Sequence, residues 1–216
     1  MASSSRVSTQ HSVFINCPFD RAYRPIFFAS IFAVHYCGFL ARSALEISDA
    51  AQPRLHTICD LIVACRFGIH DLSRTGLEPA NALPRFNMPF ELGLFLGCQR
   101  FGGQRHRVKS ALVFDKEPYR YQQFLSDISG QDIVAHHDDP RQALVEIRNW
   151  LQASTRRPDI AGGSAIWEQF QEFQRDLPQI ATHLRLSLEE LTFLDYRYLI
   201  SVWQQQRDPS RTLTRL

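Results

Sequence analysis

The chain reads as an α/β protein: a flavodoxin-like, doubly wound, mostly parallel five-stranded sheet with helices on both faces, plus a C-terminal helical hairpin. Three observations predict it. Short apolar runs alternate with helical spacings five times between residues 12 and 152. These runs lack the period-two alternation of a sheet with one wet face, so they suit parallel strands covered on both sides. Beyond residue 165 the pattern is helical and rich in aromatic side chains.

The elements follow in order. Residues 1–11 are polar and are expected to be disordered. Ser12–Cys17 (SVFINC) is a short β-rich run closed by Pro18, a first strand. Arg21–Cys37 has the helical spacing of Ile26, Phe27, Ser30, Ile31 and Val34. Phe39–Ile47 is a second strand candidate, and Pro53–Arg66 a second helix with Leu55, Ile58, Cys59, Ile62 and Val63 on one side. Phe67–Leu72 is a third strand, followed by a long loop, Arg74–Met88. Loops of that length inside a domain are usually functional.

The stretch Leu83–Cys98 (LPRFNMPFELGLFLGC) then runs from loop into helix, with Pro89 suited to the first helical position and Glu91 in the first turn. Leu92, Leu94, Phe95, Leu96 and Cys98 cover almost every face, which predicts a buried helix. Ser110–Phe114 is a fourth strand, Pro118–Ser126 a short helix and Asp132–Ala135 a weak fifth strand. Pro140–Gln152 closes the unit as an amphipathic helix with Ala143, Leu144, Ile147 and Leu151 inward. The expected organisation is therefore an α/β domain over residues 12–152, a linker over 153–164 and a helical appendage over 165–216. In the appendage Ser187 and Glu190 read as a capping box opening the second helix.

Composition narrows the function classes. The 216 residues are 44% hydrophobic and 21% charged, which is globular, and the net charge of +2 is too small to argue for nucleic acid or membrane. The basic run Arg100, Arg105, Arg107 and Lys109 reads as a solvated loop. Five cysteines, an odd number without a CxxC, fit reduced thiols, and the N-terminus has no apolar signal region, so a cytoplasmic location is expected. The apolar stretch Ile26–Leu40 is too short and polar to span a bilayer. Neither GxGxxG nor GxxxxGK[ST] is present, which removes kinase, GTPase and dinucleotide-dehydrogenase readings. No cofactor or metal is called for.

In a parallel sheet the residues just past each strand face one crevice, where ligands bind. These are Asn16, Cys17 and Asp20 after the first strand, Glu46 and Asp49 around the second, Asp71 and Ser73 after the third and Asp115 after the fourth. Asn87 and Glu91 open the helix beside the third. Each has a bland alternative. Glu91 is either a first-turn carboxylate answering the helix dipole or a catalyst. Asp71 is a turn former or a site acid, and Asn87 a loop amide or a ligand contact. Cys17 reads as a small buried hydrophobe rather than a nucleophile, because no His base shares its loop. His136-His137-Asp138-Asp139 reads as a surface loop rather than a metal site.

The conjunction of VFINCPFD, IHDLSR and LPRFNMPFELG resembles the nucleoside 2-deoxyribosyltransferase-like families and the related Toll/interleukin-1 receptor (TIR) NAD-cleaving domains, over about Ser12–Leu151. It also resembles a bacterial family of deoxyribosyltransferase-like or TIR-like proteins, for which a role as a defence effector is the expectation. In both families a glutamate on a helix beside the sheet acts on an N-glycosidic bond. The resemblance implies that Glu91 takes the place of that glutamate, Asp71 that of a substrate-contacting aspartate and Asn16 the first-loop position. Where the deoxyribosyltransferases carry a glycine-containing acidic turn before the glutamate, this chain has PRFNMP.

The chemistry suits a carboxylate. Breaking a ribosyl–base bond places positive charge on the anomeric carbon, which a carboxylate stabilises or traps as an ester. Glu91 and Asp71 are the candidate catalytic residues, with Asn16, Phe19, Asp20, Ser73, Arg85, Phe86, Asn87 and Asp115 as substrate contacts; Phe90 is a further stacking candidate. The expected function is an N-glycosidase acting on NAD or a related nucleotide, self-associating or meeting a partner protein through residues 165–206. The alternative is a nucleotide-binding sensor or adaptor that signals through the C-terminal helices without cleaving its ligand.

Overall fold

A computed structural model of the chain describes residues 11–76 and 86–208. Its strands are β1 (Ser12–Asn16), β2 (Leu40–Arg42), β3 (Phe67–Asp71), β4 (Ser110–Asp115) and β5 (Ile133–Ala135). Its helices are α1 (Arg24–Tyr36), α2 (Arg54–Ala64), α3 (Asn87–Phe101), α4 (Pro140–Thr155), α5 (Gly163–His183) and α6 (Phe193–Arg207). The strands form one all-parallel sheet in the order β2-β1-β3-β4-β5, an α/β doubly wound fold. The register runs Asn16 beside His70 and Asp71 beside Phe114, so the ends of β1, β3 and β4 are level with one another. The expectation for residues 1–10 lies outside the described residues.

Three local expectations need correction. The second strand stops at Arg42 rather than Ile47. Ser43 turns the chain there: its hydroxyl accepts from the Leu45 N–H at 3.3 Å, and the Glu46 carboxylate accepts from the Ser43 N–H at 3.1 Å, a capping box on a single 3-10 turn. Glu46 also holds Arg42 Nε at 2.7 Å. The helix after the long loop begins at Asn87, two residues before Pro89. Pro89 is tolerated there because the first four N–H groups of a helix have no intrahelical partner. Glu91 is consequently in the second turn, not the first, and only Glu91, Leu92 and Phe95 of α3 are buried. Phe90 and Phe101 are exposed, so the helix is buried along one stripe rather than all round. The last helix is capped not by Ser187 with Glu190 but by Thr192 with Asp195, whose N–H reaches the threonine hydroxyl at 3.1 Å.

The chain divides into two compact units, residues 1–23 with 42–138, and residues 24–41 with 139–216. In the first, α3 packs into two clusters. Phe95 joins Phe14, Ile58, Leu61 and Ile62, while Leu92 joins Leu72, Val113 and Tyr121. Gly68 of β3 is required by this packing: a Cβ there would come within 2.7 Å of both Phe95 Cε2 and His70 Nε2. In the second unit α1 is buried from Ile26 to Phe27 and from Ala29 to His35. Its Phe32 meets Phe170, Phe173 and Trp203 at ring-centroid distances of 5.3–5.8 Å, and Phe28 stacks on Tyr196 at 4.0 Å. The aromatic residues of α5 and α6 thus share one core with α1.

Candidate active site

At the carboxyl end of β1, beside the first turns of α2 and α3, lies a cavity of about 400 Å³. That is the size range of small-molecule sites, at the place where doubly wound folds bind ligands. Its lining includes Asn16, Phe19, Arg54, Arg74, Asn87 and Glu91, with Cys17 and Met88 beside them. It therefore offers two guanidinium groups, two amides, one carboxyl group and an aromatic ring.

Among the described residues Glu91 is the only carboxyl group in that lining, and it is 9% exposed. It makes no hydrogen bond or ion pair among the described residues. Burial pushes its pKa up from 4.5 to about 7, against a smaller lowering by the Arg54 charge. A carboxyl group titrating near neutrality, without an internal partner and open to a cavity, is a hallmark of catalytic acids and bases.

The helix that carries it is anchored by Asn16. The side-chain amide of Asn16 donates to His70 Nδ1 at 3.1 Å and to the Met88 carbonyl at 3.1 Å. Burial lowers the His70 pKa to about 3, so its ring is neutral and Nδ1 is free to accept. This one amide therefore joins the ends of β1 and β3 to the first turn of α3. The Cys17 thiol is pushed well up by burial and by the nearby carboxylates of Asp71, Glu91 and Asp20, which leaves it a neutral, unreactive wall group.

Asp71 sits elsewhere. It is 0% exposed and is not among the residues lining the cavity. Its Oδ2 accepts from the Tyr23 hydroxyl at 2.7 Å and from His136 Nε2 at 2.9 Å, and its Oδ1 accepts from the Ser73 N–H at 2.8 Å. The Asp138 N–H donates to His136 Nδ1 at 3.0 Å, so the ring proton is on Nε2 and points to Asp71. Burial alone raises the Asp71 pKa, but the hydrogen bonds from His136 and Ser73 outweigh it and hold the group below its usual value. His136 is itself fully buried, a correction to the surface-loop reading of residues 136–139. Asp139 of that run caps α4, accepting from the Arg141 N–H.

The other candidates are placed as follows. Asp20 reaches the cavity through Arg74, at 3.5 Å from its Nε. Ser73 is spent on the Asp71 turn, where its N–H donates to Asp71 Oδ1. Asp115 is buried outside the cavity and accepts from Arg120 Nε at 2.8 Å. Phe86 is 57% exposed and does not line the cavity, and Arg85 lies outside the described residues. Sequence reasoning passed over Arg54 and Arg74. Arg74 lies three residues past β3, where the strand-end rule that selected Ser73 reaches it, but Arg54 opens α2 well past β2 and only the fold brings it to the cavity. Among the described residues no three His, Cys, Asp or Glu side chains are grouped to hold a metal, and no helix is long and apolar enough to cross a membrane. No family model, curated protein or solved structure matches the chain.

Proposed function

We propose that the protein is an N-glycosidase that cleaves the ribosyl–base bond of NAD or a related nucleotide, with Glu91 as its catalytic carboxylate. The observation that carries this reading is a nearly buried carboxyl group at a ligand-sized cavity, without a partner among the described residues and with its pKa raised by burial to about 7. The likeness of FNMPFELG to the deoxyribosyltransferase-like and TIR-like segments supports it independently.

The chemistry follows from the placement. The base departs with the electron pair of the glycosidic bond, and the sugar becomes cationic at the anomeric carbon. The Glu91 carboxylate faces that charge in a partly water-excluded cavity, where a charge interaction is far stronger than in water. It either pairs with the cation or closes on it as an ester. Water then attacks the anomeric carbon, its proton leaves to solvent or to Glu91, and the sugar carries a hydroxyl group where the base was. Nicotinamide leaves NAD as a neutral base and needs no proton, so ionised Glu91 is the active form for that substrate. Phe19, 41% exposed at the cavity wall, offers a stacking surface for a base. Asp71, with His136 and Tyr23, is a positioning residue in this reading: it shapes the turn that carries Arg74.

Base release from NAD and from a nucleotide panel, followed by mass spectrometry, tests the proposal on wild type and Glu91→Gln. Expected is a loss of about 10²–10³-fold in the variant, the scale of removing one preorganised charge-stabilising group. Self-association through residues 165–206 belongs to the same reading, so the assay spans a range of protein concentrations. Equal base release by the two proteins overturns the enzymatic reading. Tight binding of a nucleotide that is recovered intact favours the sensor alternative.

A further inference from the structure

We propose that Arg54 and Arg74 form an anion subsite within this cavity that takes the phosphate groups of the substrate, so that the protein accepts phosphorylated nucleosides and dinucleotides and rejects free nucleosides. This deepens the N-glycosidase reading of the same cavity and rests on it for the identity of the bond that is cleaved.

The two arginines come from different elements, Arg54 from the first turn of α2 and Arg74 from the turn after β3, and they converge on one cavity. Arg54 makes no hydrogen bond or ion pair among the described residues and is exposed. Arg74 is ion-paired at longer range, with Asp20 and Asp138 at 3.5 and 3.8 Å. Charge-assisted hydrogen bonds run about 2.7–2.9 Å, so most of its donors remain available. Beside these two guanidinium groups the described lining sets one carboxyl group, Glu91, whose pKa burial raises to about 7. Arg54 therefore brings to the cavity wall a charge that no described carboxylate pairs with, and a nucleoside without phosphates leaves it unanswered. A phosphate or diphosphate presents the oxygen spacing that a guanidinium fork grips bidentately. The fork also sets direction: anchoring the phosphate at Arg54 and Arg74 leaves the sugar to reach Glu91.

Calorimetric binding to the Glu91→Gln protein, which is not expected to turn its ligand over, tests the subsite. NAD and nicotinamide riboside share the same glycosidic bond and differ in the phosphates and the adenosine beyond them, and inorganic diphosphate carries the anionic part alone. Expected is NAD binding about 100-fold more tightly than nicotinamide riboside, with inorganic diphosphate competing for it. Arg54→Gln in the same background weakens NAD and diphosphate by about 10–100-fold and does not weaken nicotinamide riboside, whose cationic ring loses a like charge, while Arg54→Lys restores part of the loss. Equal affinities, absence of competition by diphosphate, no binding of any of the three probes, or an Arg54→Gln protein that loses both nucleotide and nucleoside alike overturns the proposal. The two readings fail separately. Base release that is indifferent to Glu91, with the phosphate preference intact, removes the glycosidase and leaves the subsite. Glu91-dependent cleavage of free nucleosides as fast as nucleotides does the reverse.

Discussion

Glu91→Gln separates the cost of the site from its function. Folding raises the pKa of this carboxyl group from 4.5 to about 7 because burial disfavours the charged form. A group raised in the folded state contributes its full stability below the unfolded value and loses it as pH rises through the folded value. Between 4.5 and about 7 the folded chain keeps a proton that the unfolded chain releases, so stability falls with pH across that window and is level above it. At about 1.36 kcal/mol for each pH unit, the whole window is worth about 3 kcal/mol. Gln has nearly the same shape and cannot ionise, so the variant escapes the loss. Urea unfolding of both proteins at about pH 5 and about pH 8.5 isolates this contribution, because every other titrating group is common to the two. The expected result is that the stability advantage of Glu91→Gln grows by about 2–3 kcal/mol from the lower pH to the higher. An advantage that does not change with pH, or that grows toward acid, refutes the claim that the cavity holds a desolvated and unpartnered carboxyl group. Wild-type base release from NAD should run the opposite way, rising as pH passes through about 7.

Further outcomes test the packing within each of the two units. His136→Ala leaves the Asp71 carboxylate buried with one donor fewer and should cost about 3 kcal/mol in chemical denaturation. The double variant with Asp71→Asn should cost less than the sum of the two, and strict additivity would deny the network. Because Asp71 is held below its usual value, its stabilisation is present above 3.8 and is lost as pH falls below it, so the penalty of Asp71→Asn alone should shrink in acid. Gly68→Ala drives a methyl group into Phe95 and His70 and should cost about 1–3 kcal/mol, part of it recovered by Phe95→Leu; an unchanged unfolding midpoint contradicts the close approach. Phe32→Ala removes the ring around which Phe170, Phe173 and Trp203 gather and should cost about 3–5 kcal/mol, with a change in Trp203 fluorescence as a second readout.

Much of the fold is legible in the chain because it rests on short-range pattern. SVFIN, FGIHD and SALVFD are apolar runs without alternation, and all three became strands of the parallel sheet. Ala143, Leu144, Ile147 and Leu151 repeat at helical spacing and all four are buried. Two local errors came from capping chemistry that competes with pattern: Ser43 cut β2 short and Thr192 outdid Ser187; α3 opened at Asn87, ahead of Pro89, without a side-chain cap.

Primary structure alone settled the alternation of strands and helices and put Glu91 on the helix that follows the long loop, one turn earlier than the fold has it. Tertiary structure alone decided which groups meet. Asn16 bonds Met88 across 72 positions and Asp71 bonds His136 across 65, and no local spacing encodes such pairs. Burial did the rest, closing Asp71 away among donors while leaving Glu91 without one among the described residues, beside two arginines that the pattern of apolar residues does not distinguish from any other surface charge. The physical reason is range: a helix or strand answers to residues a few places away, whereas desolvation and hydrogen-bond partnership answer to whatever the folded chain brings within a few ångströms.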